Sequence, residues 1–388
     1  MALSQSRLML QPRPPSRGLK RLRPTEETRN AGVAGINTID TTTRPIEFYR
    51  SLPKVELHRH LEGSLRFETV LDVVRSYQLD VPDTSLLRSL VQVQENEPLT
   101  FQNFLSKFAT LRLIYRSPEI IARVTLEAIA DAAADNVRYL ELRFTPVALS
   151  KLRGFPLSQV MDWVLDAARQ GEKEHGVTTR LIASVNRHEG VALAGQVAYL
   201  AAERKDRGIV GLDLAGNEPG FPAGPFASAF QVAQESGLQV TAHAGEWDGG
   251  ENVAEAIQKL GAMRIGHGIR VLEAPAALQL ARQCGTPFEV CITSNYQSGA
   301  VKQLKNHPLA RMLAEGLNVT INTDDPSISQ IALSDEYRVF CETLSFPLEI
   351  LRERVLAAAR AAFLPETERE ALAQALEREY DSLLAATT

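Results

Sequence analysis

Leu238-Gln239-Val240-Thr241-Ala242-His243-Ala244-Gly245-Glu246 and Met263-Arg264-Ile265-Gly266-His267-Gly268 flank a segment, Val253 to Leu260, whose apolar residues recur at helical spacing. Two short β-rich runs around one helical segment read as a strand–helix–strand unit, and strands joined through a helix run parallel. Each run ends in a histidine, and a glycine within two residues permits a tight turn out of the strand. One such unit therefore puts two imidazoles at the same end of a parallel sheet.

The same alternation extends in both directions. Strands are expected at Val55–His58, Tyr139–Phe144, Leu181–Val185, Val210–Leu214, Leu238–His243, Met263–His267, Phe288–Ile292 and Asn318–Asn322. Helical stretches such as Phe226–Glu235 and Ala276–Arg282 lie between them. Eight βα units predict a closed (β/α)8 TIM barrel, an α/β fold whose active site lies at the C-terminal ends of the strands. An open doubly wound sheet is the alternative, but no GxGxxG follows the first strand. The interval between the first two strands is long enough for a helical insertion, with one helix from about Phe101 to Tyr115. There Phe101, Phe104, Leu105, Phe108 and Leu111 fall on one helical face. The pattern alone favours a core-facing stripe; an insertion above a barrel strand could instead form a lid.

The chain has 388 residues, 44% of them apolar, and a net charge of −5, so nothing points to nucleic acid as a partner. No apolar run approaches a membrane span. Cys284, Cys291 and Cys341 form no CxxC pair, so neither a disulfide framework nor a thiolate metal site is expected, and a reducing, cytoplasmic setting is. Residues 1–48 read as a disordered basic tail. Arg7, Arg13, Arg17, Lys20, Arg21 and Arg23 precede any acid, and Pro12, Pro14, Pro15 and Pro24 interrupt any helix. Residues 49–388 read as the catalytic domain.

The chemistry concentrates at strand ends. His58-Arg59-His60 closes the first expected strand, and side chains at i and i+2 share a face, so two imidazoles can converge on one metal ion. His243, His267 and the adjacent acids Asp324-Asp325 end three other strands. Neighbouring carboxylates after an apolar run are costly unless a cation or hydrogen bonds compensate them. A set of three His and one Asp with a further Glu (Glu246) and His (His267) suits a hydrolytic metal centre with its acid and base. Of the remaining histidines, His175 reads as a solvated turn and His307 as a loop residue, while His188 could reach the rim of the site.

In order and spacing, Pro53-Lys54-Val55-Glu56-Leu57-His58-Arg59-His60-Leu61-Glu62-Gly63, Gly211-Leu212-Asp213-Leu214-Ala215-Gly216-Asn217-Glu218, His243-Ala244-Gly245-Glu246, Gly266-His267-Gly268, Thr293-Ser294-Asn295 and Asn322-Thr323-Asp324-Asp325-Pro326 resemble the adenosine deaminase family of the amidohydrolase superfamily. The resemblance covers about residues 50 to 385. It implies a barrel with one zinc ion per chain, held by His58, His60, His243 and Asp324. It further implies Glu246 as the acid that protonates purine N1 and His267 as the base that orients and deprotonates the attacking water. Asp325 corresponds to the N7 contact, Gly216 to a backbone donor near N3, and His60 also lies beside the substrate. Phe104, Leu105 and Phe108 match a hydrophobic lid, reversing the core-stripe reading.

The implied reaction replaces the 6-amino group of a small purine nucleoside by addition and elimination. Glu62 stands where animal-type members carry Asp against the ribose 5′-hydroxyl, which leaves the group at C5′ open. Aminodeoxyfutalosine, methylthioadenosine and free adenine stay as alternative substrates, adenine being disfavoured by the nucleoside-type Asp213-Leu214-Ala215-Gly216. The competing classes are another zinc barrel hydrolase, which no strand-end lysine supports, and a catalytically inactive binding protein, which the complete residue set disfavours. A cytidine-type deaminase lacks its CxxC.

Overall fold

A computed structural model describes residues 43–81 and 83–387. The basic segment through Arg23 lies outside them. Within the stretch assigned to the tail, the helix Ile46–Ser51 already begins, and its Tyr49 is buried with its hydroxyl donating to Glu342 Oε1 at 3.1 Å. That helix begins a few residues before position 49, where the catalytic domain was expected to start.

Eight parallel strands form the barrel: β1 (Lys54–His60), β2 (Val137–Phe144), β3 (Thr178–Asn186), β4 (Ile209–Ala215), β5 (Gln239–Ala244), β6 (Arg264–His267), β7 (Pro287–Val290) and β8 (Asn318–Ile321). Each pairs with its neighbour in sequence, from β1–β2 through β7–β8. Their near-continuous burial is what a parallel sheet covered on the outside and filled on the inside requires. The expected strands all form, but β7 stops short of Ile292, which opens the helix Ile292–Gln297, and β8 ends at Ile321, one residue before Asn322.

The seam between β8 and β1 closes differently from the other seven junctions. A single parallel bridge joins Arg59 to Asp324. It consists of His60 N donating to Asp324 O at 2.8 Å and Asp324 N donating to His58 O at 2.9 Å. Below it, side chains take the place of main-chain carbonyls. Leu57 N donates to Asn322 Oδ1 at 2.9 Å, and Thr323 N donates to Glu56 Oε1 at 2.9 Å. The hydrogen-bonding demand of buried backbone is met there by Asn and Glu.

The helical insertion lies between β1 and β2 as Phe67–Ser76, Thr84–Val91, Phe101–Leu111 and Pro118–Ala134. Thr100 caps the third of these by accepting from Asn103 N at 3.2 Å. That helix ends at Leu111 rather than Tyr115, which is buried in the segment that follows. Pro118–Ala134 starts on an N-capping Ser117 with proline in its first turn and packs on Leu157–His175 in the outer layer. Leu348–Ala361 covers β8 and β1 from outside, and Glu366–Thr387 packs over it. Among the described residues no helix is long and apolar enough to cross a membrane.

Candidate active site

Four side chains converge at the seam. His58 and His60 leave the last turns of β1 on one face, His243 ends β5, and Asp324 follows β8. His58 Nε2 lies 3.2 Å and His60 Nε2 3.3 Å from Asp324 Oδ1, while His60 Nε2 and His243 Nε2 are 3.2 Å apart. One donor atom from each of the four falls within 4.8 Å of all the others. His58 Nε2 is buried and has no hydrogen-bond partner. Imidazole lone pairs and a carboxylate oxygen packed this closely, with one nitrogen orphaned, fit a divalent cation better than any arrangement of protons.

The far sides of these ligands are tied down. His58 Nδ1 donates to Glu289 Oε2 at 2.8 Å and His243 Nδ1 to Asp213 Oδ1 at 3.1 Å. With Nδ1 carrying the proton, each ring turns the lone pair of Nε2 toward the cluster. Asp324 Oδ2 accepts from Ser294 Oγ at 2.7 Å. Glu289 also accepts from Arg143 Nη2 at 2.8 Å and Arg264 Nε at 2.6 Å. Burial opposes its ionisation, but Arg143 and Arg264 outweigh burial and hold its carboxyl well below the usual range. Burial likewise opposes Asp213, and His243 and Arg143 bring it down. The backbone is strained where the chemistry concentrates: His267 has φ 58° and Asp324 φ 69°, left-handed values that cost a β-carbon residue about 1–3 kcal/mol.

Next to the cluster, Glu246 and His267 face each other, Oε2 and Nε2 3.5 Å apart, with His267 Nε2 3.9 Å from Asp324 Oδ2. Burial, reinforced by the charges of Asp324 and Glu218, raises Glu246 well above an ordinary carboxyl. Burial, with His58 and His243 nearby, keeps His267 neutral by lowering its pKa well below the usual histidine value. The adjacent acids are split. Burial would raise both, but His58 and His60 hold Asp324 ionised, whereas Asp324 itself adds to the burial that raises Asp325.

A cavity opens above these groups. Phe104, Leu105 and Phe108 form its apolar roof, and His60, Glu62, Gly216, Glu246, His267 and Asp325 line its floor and walls. The apolar stripe therefore faces the cavity through its middle, while Phe101 stacks on Trp247 with ring centroids 5.4 Å apart. Gly216 adopts φ 86°, and a β-carbon there would come within 2.9 Å of His188 Nδ1. Glu62 accepts from Thr145 N at 2.6 Å, and burial pushes its carboxyl up to about 7.

The adenosine deaminase family model matches residues 53–379, which takes in every strand and the whole cluster. The chain belongs to the adenosine deaminase family. It is 40% identical to an adenosine deaminase of Erwinia tasmaniensis over 324 residues, 83% of this chain and 97% of that one. It is 38% identical to that of Serratia proteamaculans, with coverage of 83% and 97%. Among solved structures, an adenine deaminase from Arthrobacter aurescens superposes with TM-score 0.78 at 29% identity, covering 85% of this chain and 99% of that one. An N6-methyl-AMP deaminase from Arabidopsis thaliana gives 0.76 at 27%, covering 87% and 98%. This deaminase-family chain is a metal-dependent aminohydrolase with a His/Asp cluster able to hold the ion.

Each residue singled out from the sequence as ligand, acid, base or contact lies at the cluster or on the cavity. His188 does reach the rim, and His175 is exposed at a helix end. His307 lies in a loop as expected, and it is buried there, with Nε2 3.3 Å from Asn295 Oδ1. Glu289, Arg143, Arg264, Arg112 and Trp247 also surround the site, with no expectation from the sequence behind them. A usable signal existed for the first. Glu289 sits between Phe288 and Val290 in a buried strand, where a charge has to find partners.

Proposed function

We propose that the chain catalyses hydrolytic deamination of adenosine and 2′-deoxyadenosine to inosine and 2′-deoxyinosine, with one zinc ion held by His58, His60, His243 and Asp324. The observation that carries this reading is the pairing of that ligand cluster with the buried carboxyl of Glu246 on the wall of the same cavity. The ion would supply a Lewis acid that makes water acidic enough to attack near neutral pH.

The chain's residues do the rest. Glu246 gives its proton to purine N1, which makes C6 electrophilic, and His267 holds the attacking water against that carbon. Water adds to C6 as N1 takes the Glu246 proton; of the two water protons one returns to the Glu246 carboxylate and the other goes to the 6-amino nitrogen, which leaves as ammonia, so the oxygen stays on C6, the proton on N1, and the acid is restored. Asp325, raised and protonated, can donate to N7, and Gly216 borders N3. The roof of Phe104, Leu105 and Phe108 excludes bulk water and strengthens each of these interactions.

The 5′ end is read by Glu62 and Arg112. Glu62 Oε2 and Arg112 Nε are both buried without partners, and both residues line the cavity. A hydroxyl can donate to the first and accept from the second. A 5′-phosphate would set its charge against Glu62, so nucleotides of the kind recognised by the Arabidopsis relative are disfavoured.

Ammonia release from the metal-loaded protein tests this on adenosine, 2′-deoxyadenosine, adenine, methylthioadenosine and AMP. Adenosine and 2′-deoxyadenosine are expected to give the highest kcat/KM. Preference for AMP or methylthioadenosine would overturn the substrate, and no release from any would overturn the reaction. Glu246→Gln should keep its metal and lose roughly 100- to 10,000-fold in kcat.

A further inference from the structure

Beneath His267 a chain of hydrogen bonds runs through three residues that the proposed reaction does not itself use, and donor and acceptor can be assigned at each link. It starts at a group whose direction is not in question. The backbone N–H of Leu309 donates to Nδ1 of His307 at 3.1 Å. A ring nitrogen that accepts carries no proton, so neutral His307 has its proton on Nε2. Burial, which pushes its pKa down to about 3, keeps it neutral at working pH. Nε2 lies 3.3 Å from Asn295 Oδ1. Because that nitrogen is a donor, it must meet the oxygen of the amide and not its NH2 group. The two ends of an amide are otherwise hard to tell apart, and here Leu309 decides between them.

The NH2 group of Asn295 then points the other way, with Nδ2 3.0 Å from His267 Nδ1 and 3.3 Å from Glu246 Oε1. It has two hydrogens and two acceptors to serve. His267 Nδ1 therefore accepts, and the ring's one proton is on Nε2, the nitrogen facing Glu246 and Asp324. We propose that His307 is a positioning residue that orients Asn295 and through it locks His267 in the tautomer with the proton on Nε2. In that state His267 meets the attacking oxygen with an N–H, so its part is to hold that oxygen rather than to take its proton. The same NH2 group occupies Glu246 Oε1 and leaves Oε2 to carry the acid's proton. The catalytic consequence rests on the deaminase reading proposed above; the tautomer does not.

Nitrogen-15 spectra of the full-length, metal-loaded chain, labelled at histidine, test the tautomer without turnover, the His267 signals being assigned by their loss in His267→Gln. Wild type should show a pyridine-type Nδ1 and a pyrrole-type Nε2 at His267. Asn295→Asp presents oxygen at both ends, so the pattern should invert. There kcat should fall about 10- to 100-fold, as for partners behind metal-site residues, with KM within about twofold. His307→Leu should lose the single tautomer and a similar factor in kcat, while His307→Gln, which keeps an N–H donor, should recover most of both. A pyrrole-type Nδ1 in wild type, or a wild-type spectrum and kcat in His307→Leu, would overturn the proposal. If His307→Leu does not fold, wild type and Asn295→Asp decide. The expected spectrum without ammonia release from any substrate would leave the tautomer standing and sink the deaminase reading.

Discussion

Gly63 shows how a residue without a side chain can determine the position of one that has a function. A β-carbon built at position 63 would fall 1.8 Å from Oδ1 of Asp325, far inside any real contact. Asp325 lies on the cavity, buried, with Oδ1 lacking a partner. Gly63→Ala must therefore displace that carboxyl. Loss of one strong hydrogen bond to the substrate predicts a fall in kcat/KM for adenosine of roughly tenfold or more, with metal content unchanged. Kinetics equal to wild type would show that Asp325 takes no part in binding. The glycine was quoted from the sequence as part of a motif, but its reason was not legible there, because Gly63 and Asp325 meet only once the barrel closes. The ligands were legible for the opposite reason. His58, His60, His243 and Asp324 each stand at the end of a strand that announces itself locally, and the fold rule supplies the convergence. Glu289, Asn295 and His307 act behind other side chains, and the sequence carries no spacing that pairs them with His58 or His267.

At the scale of an element, the turn after β5 depends on one carboxylate from the loop after β4. Glu218 accepts from the backbone N–H groups of Gly245 at 2.5 Å, Glu246 at 3.0 Å, Trp247 at 2.9 Å and Asp248 at 3.2 Å. Four consecutive N–H groups aimed at one anion make a nest, and they hold the backbone that carries Glu246. Glu218→Ala leaves them unpaired in a largely buried turn. The expected cost is about 3 kcal/mol, read from denaturant unfolding, together with a loss of kcat as Glu246 loosens. Unchanged stability would mean that the turn is held by other contacts. The strands were legible because each is a short apolar run between helices, and their ends drifted by a residue or two where polar site residues take over. The stripe of Phe104, Leu105 and Phe108 was ambiguous because an apolar face has the same period whether it meets a core or a cavity.

The whole molecule carries a pH signature from the same buried histidine. His307 has a folded-state pKa of about 3, below the ordinary value near 6.5. The unfolded chain binds the extra proton first as pH falls. The stability that neutral His307 contributes is thus complete above about pH 6.5 and is lost progressively toward pH 3, a few kcal/mol at the lower limit. His307→Gln should flatten the dependence of unfolding free energy on pH between 7 and 4; an equally steep slope would place the proton uptake elsewhere. The seam has a different consequence. The bridge between Arg59 and Asp324 joins the first strand to the last, and its supporting contact from Leu57 to Asn322 spans 265 residues of chain. Loops that long close late in folding. All four proposed ligands belong to that junction or reach across to it, so the centre does not exist in a chain whose ends have not met. Turnover in this family member is thus a certificate of completed topology: a fragment lacking the eighth strand, however well its remaining strands pair, lacks Asp324 and holds an incomplete ligand set.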